Sequence, residues 1–113
     1  MSWIIEPVEQ CVLPVAGSES RFPVGNIFCV GRNYADHAVE MGGDPYREPP
    51  FFFIKPNFAL LPPGRDMTYP GHSDDVHHEV EMVVALGQGG QNISVEDAMQ
   101  LVFGFAVGLD MTR

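Results

Sequence analysis

The stretch "HHEVEMVVAL", residues 77–86, places two carboxylates two residues apart in a run that otherwise reads as a strand. Residues two apart on a strand point to the same side. Glu79 and Glu81 therefore share one face, and Val80, Met82, Val84 and Leu86 share the other. Like charge beside like charge costs energy unless water, a proton or a cation relieves it. A strand with one wet face and one core face gives the same alternation, so the pair alone fits either a solvated surface or a cation site. Asp110 adds a third acid. It ends "VFGFAVGLD", in which Gly104, Ala106, Gly108 and Asp110 alternate with Phe103, Phe105, Val107 and Leu109. Small residues leave open space on the side that carries Asp110, although an acid at a strand end also fits an ordinary turn. If the two strands adjoin, three carboxylates converge. An all-oxygen donor set suits a hard cation, Mg²⁺ or Mn²⁺ first and Ca²⁺ after them, and not Zn²⁺. Mg²⁺ keeps waters that a chelating substrate can replace. His77 faces the same way as the glutamates and offers a mixed ligand set as an alternative. His78 falls on the core side, as a hydrogen-bonded structural histidine.

A second constellation is His37 with Glu40. On a helix they are neighbours at i and i+3. A carboxylate beside an imidazole fixes its tautomer and raises its basicity, so that it can take a proton from water. The same spacing also describes an exposed pair on a solvated helix. Arg32 and Lys55 are two of only six basic residues, and each ends an apolar strand. Either fits a substrate carboxylate, and either fits a side chain reaching for solvent. The glycines at 87, 89 and 90 read as a hairpin turn and not as a phosphate-binding loop.

The elements that must position these groups are short. Ten prolines and twelve glycines cut the chain into pieces, which favours strands and loops over long helices. Residues 1–25 read as irregular, with "AGSES" as a turn. Residues 26–30 read as a strand carrying Cys29 as an inert core thiol. "GRNYADHAVEMGG" predicts a short helix, capped by Asn33, stopped by Gly42 and Gly43, with Tyr34, Ala38 and Met41 as its inward stripe. "FFFIK" predicts a buried strand, and "LLPPGRDMTYPGHSDD" a long irregular crossing with a Pro-Gly turn. Residues 76–86 form the acidic strand. Ser94 and Asp97 resemble a capping box that opens a short helix over "VEDAMQLV".

The chain has 113 residues, 45% of them apolar and 19% charged, a globular composition large enough for one small core. The net charge of −9 argues against a nucleic-acid partner, which needs a basic patch. No apolar run is long enough to span a bilayer, and "MSWIIEPVEQ" lacks the basic start of a signal peptide. Two cysteines make no disulfide framework. A reducing cytoplasm fits these features.

"IFCVGRNYADHAVEMG", "PPFFFIKP", "YPGHSDDVHHEVEMVVALG" and "GFAVGLDMTR", in that order, resemble the fumarylacetoacetate hydrolase family. The likeness covers nearly the whole chain after the first dozen residues. Residues 1–25 then form a lead-in, and residues 26–113 the N-terminal part of the family's catalytic domain. "LPVAGSESRFPV" and "DPYREPPFFFIKP" are similar to the branch that hydrolyses fumarylpyruvate. The resemblance implies an α+β fold, with mixed sheets rolled around the metal, and a homodimer. It implies that Glu79, Glu81 and Asp110 hold the metal. It also implies that His37 and Glu40 activate water, from a short helix that orders when ligand binds. Its members act on small 2-oxo acids: they hydrolyse acylpyruvates, decarboxylate oxaloacetate, or hydrate and isomerise related acids. The family domain continues past "DMTR" and supplies a catalytic lysine there, so the chain is expected to be a truncated stretch of that domain. An inactive fragment that only binds metal is the alternative from outside enzymology.

Overall fold

The computed structural model describes residues 1–31, 49–72 and 75–112. Arg32, His37, Glu40 and the helix expected after residue 32 lie outside the described residues. The chain divides into two compact units, Met1–Met67 and Thr68–Arg113. Three two-stranded antiparallel sheets and a few short helical turns make up the described structure, an α+β architecture.

The first unit contains two of these sheets. Strand β1 (Val12–Pro14) pairs with β2 (Arg21–Pro23), so the lead-in is a small hairpin rather than irregular chain. Its turn falls at "AGSES" as the composition predicts: Ser18 N–H donates to Val15 O at 3.2 Å, and Gly17 takes φ +73°, where a side chain would be strained. Val24, the one buried apolar residue among those described, lies just beyond β2. Its N–H donates to Cys11 O at 2.8 Å, and its carbonyl accepts from Gln10 Nε2 and Asn57 Nδ2, both at 3.1 Å. Asn57 opens a 3-10 turn, Asn57–Ala59, so one asparagine ties this turn to the lead-in.

Strand β3 (Ile27–Gly31) pairs with β4 (Phe51–Lys55), with Cys29 opposite Phe53 and Gly31 opposite Phe51. Both strands form where the apolar runs predict them. Their burial differs from the expectation: Phe28, Val30, Phe52 and Ile54 are exposed, and Cys29 is half-buried. A two-stranded ribbon has two faces, and among the described residues no further layer covers them. Such a ribbon is marginal alone. Its apolar content fits a sheet packed on both sides.

The second unit is one long ribbon. Strand β5 (His77–Leu86) pairs with β6 (Val102–Thr112). Between them, residues 87–101 form the connection, which starts at the glycines and holds the short helix expected over "VEDAMQLV". Helix α1 (Val95–Ala98) and a 3-10 turn (Met99–Leu101) sit inside it. Gly87 N–H donates to Leu101 O at 2.8 Å, closing the ribbon's end. The register shifts at Ala85 and Leu86, which face Gly104 and Val102. Phe103 is the extra residue of this bulge, a device that bends and twists a ribbon.

Ser94 caps α1 as predicted. Its Oγ accepts from Asp97 N–H at 3.3 Å and donates to Asp97 Oδ2 at 3.0 Å. A true capping box would send the carboxylate back to the cap's own N–H; here it holds the serine hydroxyl instead. Ser94→Ala is expected to cost about 1 kcal/mol of local stability. Amide exchange at Asp97 should then speed up roughly fivefold, with no change in β5 and β6.

Candidate metal centre

Antiparallel partners stand side by side on one face of a ribbon. Glu79 is opposite Asp110, and Glu81 is opposite Gly108. The expected alternation therefore places all three acids on one face, with Val83, Ala85, Gly104 and Ala106 continuing that face. His78, Val80, Met82, Val84, Phe105, Val107, Leu109 and Met111 occupy the other.

One carboxylate oxygen each from Glu79, Glu81 and Asp110 lies within 4.8 Å of the other two. The residue types explain the gathering. Glu79 and Asp110 approach as a direct cross-strand pair. Glu81 is two residues further along and has Gly108 opposite, so the partner strand projects no side chain there, and the Val83 side chain reaches into that space instead. A Cβ at Gly108 would lie 2.8 Å from Val83 Cγ2, too close without a shift. Gly104, by contrast, faces open space.

Three like charges at this spacing repel by about 1 kcal/mol per pair in water, and by several times that in drier surroundings. Glu81 and Asp110 are half-buried, so the cluster stands only partly in water. A hard cation relieves the repulsion. Oxygens bound to one such ion stand about 3–5 Å apart, given ligand distances of about 2.0–2.6 Å. The donor set and its spacing therefore fit Mg²⁺, Mn²⁺ or Ca²⁺; without nitrogen or sulfur they fit Zn²⁺ poorly.

The other candidates are placed as follows. His77 shares the acidic face but is not among the converging groups. Its Nε2 lies 2.8 Å from Asp75 Oδ1. The partnership with Asp75 was not read from the sequence, although "DDVHH" has an acid two residues before the histidine. His78 lies on the apolar face opposite Met111, as the alternation predicts. Lys55 ends β4 opposite Ile27 and is half-buried; it belongs to the first unit. Neither Cys11 nor Cys29 is in a disulfide. Among the described residues no helix is long and apolar enough to cross a membrane.

Comparison with known proteins gives this geometry a family. The "Fumarylacetoacetate (FAA) hydrolase C-terminal" model matches residues 26–113. The chain is 47% identical over 87 residues to the mitochondrial oxaloacetate tautomerase of Mus musculus, covering 77% of this chain and 39% of that protein. It is 45% identical over 87 residues to the mitochondrial oxaloacetate decarboxylase of Dictyostelium discoideum, covering 76% and 39%. The crystal structure of fumarylpyruvate hydrolase from Pseudomonas aeruginosa, in complex with Mn²⁺ and pyruvate, superposes with a TM-score of 0.90. That match has 47% identity and covers 98% of this chain and 49% of the other. The chain thus spans less than half the length of each of these relatives. Three of its acids meet on one ribbon face, the family model spans residues 26–113, and its fold matches that of a related enzyme over 98% of its length: the chain belongs to the fumarylacetoacetate hydrolase family.

Proposed function

We propose that the protein carrying this chain is a divalent-metal-dependent hydrolase that splits the carbon–carbon bond of an acylpyruvate, converting fumarylpyruvate to fumarate and pyruvate. The observation that carries this reading is the convergence of Glu79, Glu81 and Asp110. Three carboxylates meeting on one face are costly to a fold and useful to a cation. A similar structure, the Pseudomonas fumarylpyruvate hydrolase, was obtained with Mn²⁺ and with pyruvate, one of the two products of the proposed cleavage.

In this reading Glu79, Glu81 and Asp110 hold Mg²⁺ or Mn²⁺, with Ca²⁺ as the third choice. When bound, the cation supplies positive charge where negative charge develops on the 2-oxo oxygen of the departing pyruvate. Gly104 of β6, which faces open space on the same side of the ribbon, leaves room for the substrate's 2-oxo acid end. His37, oriented by Glu40, takes a proton from water, and the resulting hydroxide adds to the distal carbonyl carbon. The carbon–carbon bond then breaks. Its electron pair leaves with the pyruvate fragment, which takes up a proton, and the acyl fragment departs as fumarate. Arg32 and Lys55 are assigned to a substrate carboxylate, where a fixed cation would orient the acid. We further propose Mg²⁺ as the working metal, a homodimer as the assembled protein, residues 26–113 as part of its catalytic domain, and the cytoplasm as its compartment.

A second reading rests on the curated relatives, which are named for tautomerising or decarboxylating oxaloacetate. Oxaloacetate offers the same 2-oxo acid end, and its reactions need no attacking water. A panel of fumarylpyruvate, acetylpyruvate and oxaloacetate with Mg²⁺ separates the readings. The hydrolase reading expects fumarylpyruvate to have the highest kcat/KM, by at least about tenfold, since a site shaped for one acyl group discriminates by one or more kcal/mol. Faster turnover of oxaloacetate than of either diketone would replace it with the second reading.

A further inference from the structure

The carbonyl of Val24 accepts two side-chain hydrogen bonds, from Gln10 Nε2 and from Asn57 Nδ2, both at 3.1 Å. Val24 is buried and Asn57 half-buried, where a hydrogen bond is stronger than in open water. A third contact ties the same place: Cys11 Sγ donates to Asn57 O at 3.5 Å. Gln10, Cys11 and Val24 precede residue 26, where the family match begins, and Asn57 lies within that match. The three contacts therefore clasp the lead-in to the chain just after β4. Lys55 is the last residue of β4 and stands opposite Ile27, three residues after Val24. Only Pro56 separates Lys55 from Asn57, at φ −67°, a torsion that its ring holds fixed. The backbone of Lys55 is thus held on one side by its pairing with Ile27 and on the other by the Asn57 clasp.

We propose that Asn57 is a positioning residue for Lys55, fixing the end of β4 so that the ammonium is presented to a substrate carboxylate. The role rests on the reading of Lys55 as the partner of that carboxylate. A lysine is a point charge on a flexible stem, and whatever freedom it keeps in the free protein is lost on binding. Fixing the strand end beforehand removes part of that cost. Asn57 acts through the backbone and not on the substrate. Both ends of the residue are engaged: Nδ2 donates to Val24 O, and its own carbonyl accepts from Cys11 Sγ and from Leu60 N–H at 3.1 Å.

The test is steady-state kinetics of the protein carrying this chain, with Mg²⁺ and whichever of fumarylpyruvate and oxaloacetate it turns over faster. Lys55→Met keeps the apolar stem and removes the charge, and is expected to raise KM about tenfold or more. Asn57→Ala is expected to raise KM about fivefold, the worth of one hydrogen bond, with a smaller fall in kcat and an unchanged circular dichroism spectrum. A rise confined mainly to KM marks the loss of substrate binding. Asn57→Gln, which keeps an amide donor, should recover part of that loss. Gln10→Ala leaves the bond from Asn57 to Val24 in place and should raise KM by a smaller factor. Added to Lys55→Met, Asn57→Ala should raise KM no further, because it acts through the lysine. If Lys55→Met raises KM while neither Asn57→Ala nor Gln10→Ala does, the positioning role is wrong and the reading of Lys55 stands. Should Asn57→Ala not fold, Gln10→Ala decides, and an unchanged KM overturns the role. If the two losses multiply in the double variant, Asn57 does not act through Lys55 and the role is overturned. If Lys55→Met leaves KM unchanged, or neither substrate is turned over, the role falls together with the reading on which it rests.

Discussion

Asp110→Asn is expected to reduce fumarylpyruvate hydrolysis, and Mn²⁺ affinity with it, by roughly 100-fold or more, since even supporting groups around a metal site are worth 10–100-fold. The change removes one negative charge and keeps the shape. It acts at the residue directly opposite Glu79, so it disturbs the central cross-strand pair of the cluster. In the absence of metal, the same substitution removes like-charge repulsion between strands, and the β5–β6 ribbon should be no less stable than before. Parallel thermal melts and Mn²⁺ titrations would show these opposite signs. A variant that loses stability and metal affinity together, with melting as the larger effect, would mean that Asp110 serves the fold and not a cation.

The second large effect concerns His37. Removing a general base from a water attack costs about 10²–10⁴ in rate. His37→Ala should therefore abolish most hydrolysis of fumarylpyruvate. Decarboxylation of oxaloacetate by the same variant should fall much less, because that reaction has no water to activate. Glu40→Gln should lie between the unaltered protein and His37→Ala, since it leaves the imidazole in place and removes only the group that orients it. Equal loss of hydrolysis and decarboxylation in His37→Ala would contradict the assignment of His37 as the base for water.

The acidic face is legible in the sequence because strand periodicity is a strict geometric rule. Once residues 77–86 and 102–112 alternate with period two, the side of every residue follows. The pairing of Glu79 with Asp110 needed only the two strands to be neighbours. Length and register were less legible. The short helix α1 is legible from Ser94 and Asp97, but the bulge at Phe103 carries no signature in a run of alternating apolar residues. The hairpin of β1 and β2 was missed for a chemical reason: Pro14 and Pro23 lie within three-residue strands, and a residue without an N–H reads as a strand breaker. Both prolines sit at strand ends, where the missing donor costs least. The burial of "FFFIK" was expected from its apolar content, but composition states only what a strand would bury against a covering layer. Asp75 lies in an irregular stretch, where spacing gives no face.

The position of Mn²⁺ in crystals of the protein tests the central claim most directly, read from the metal's anomalous scattering. A single peak is expected on the β5–β6 face, coordinated by an oxygen from each of Glu79, Glu81 and Asp110. A peak held by other side chains, or one that leaves any of these three carboxylates uncoordinated, would contradict it.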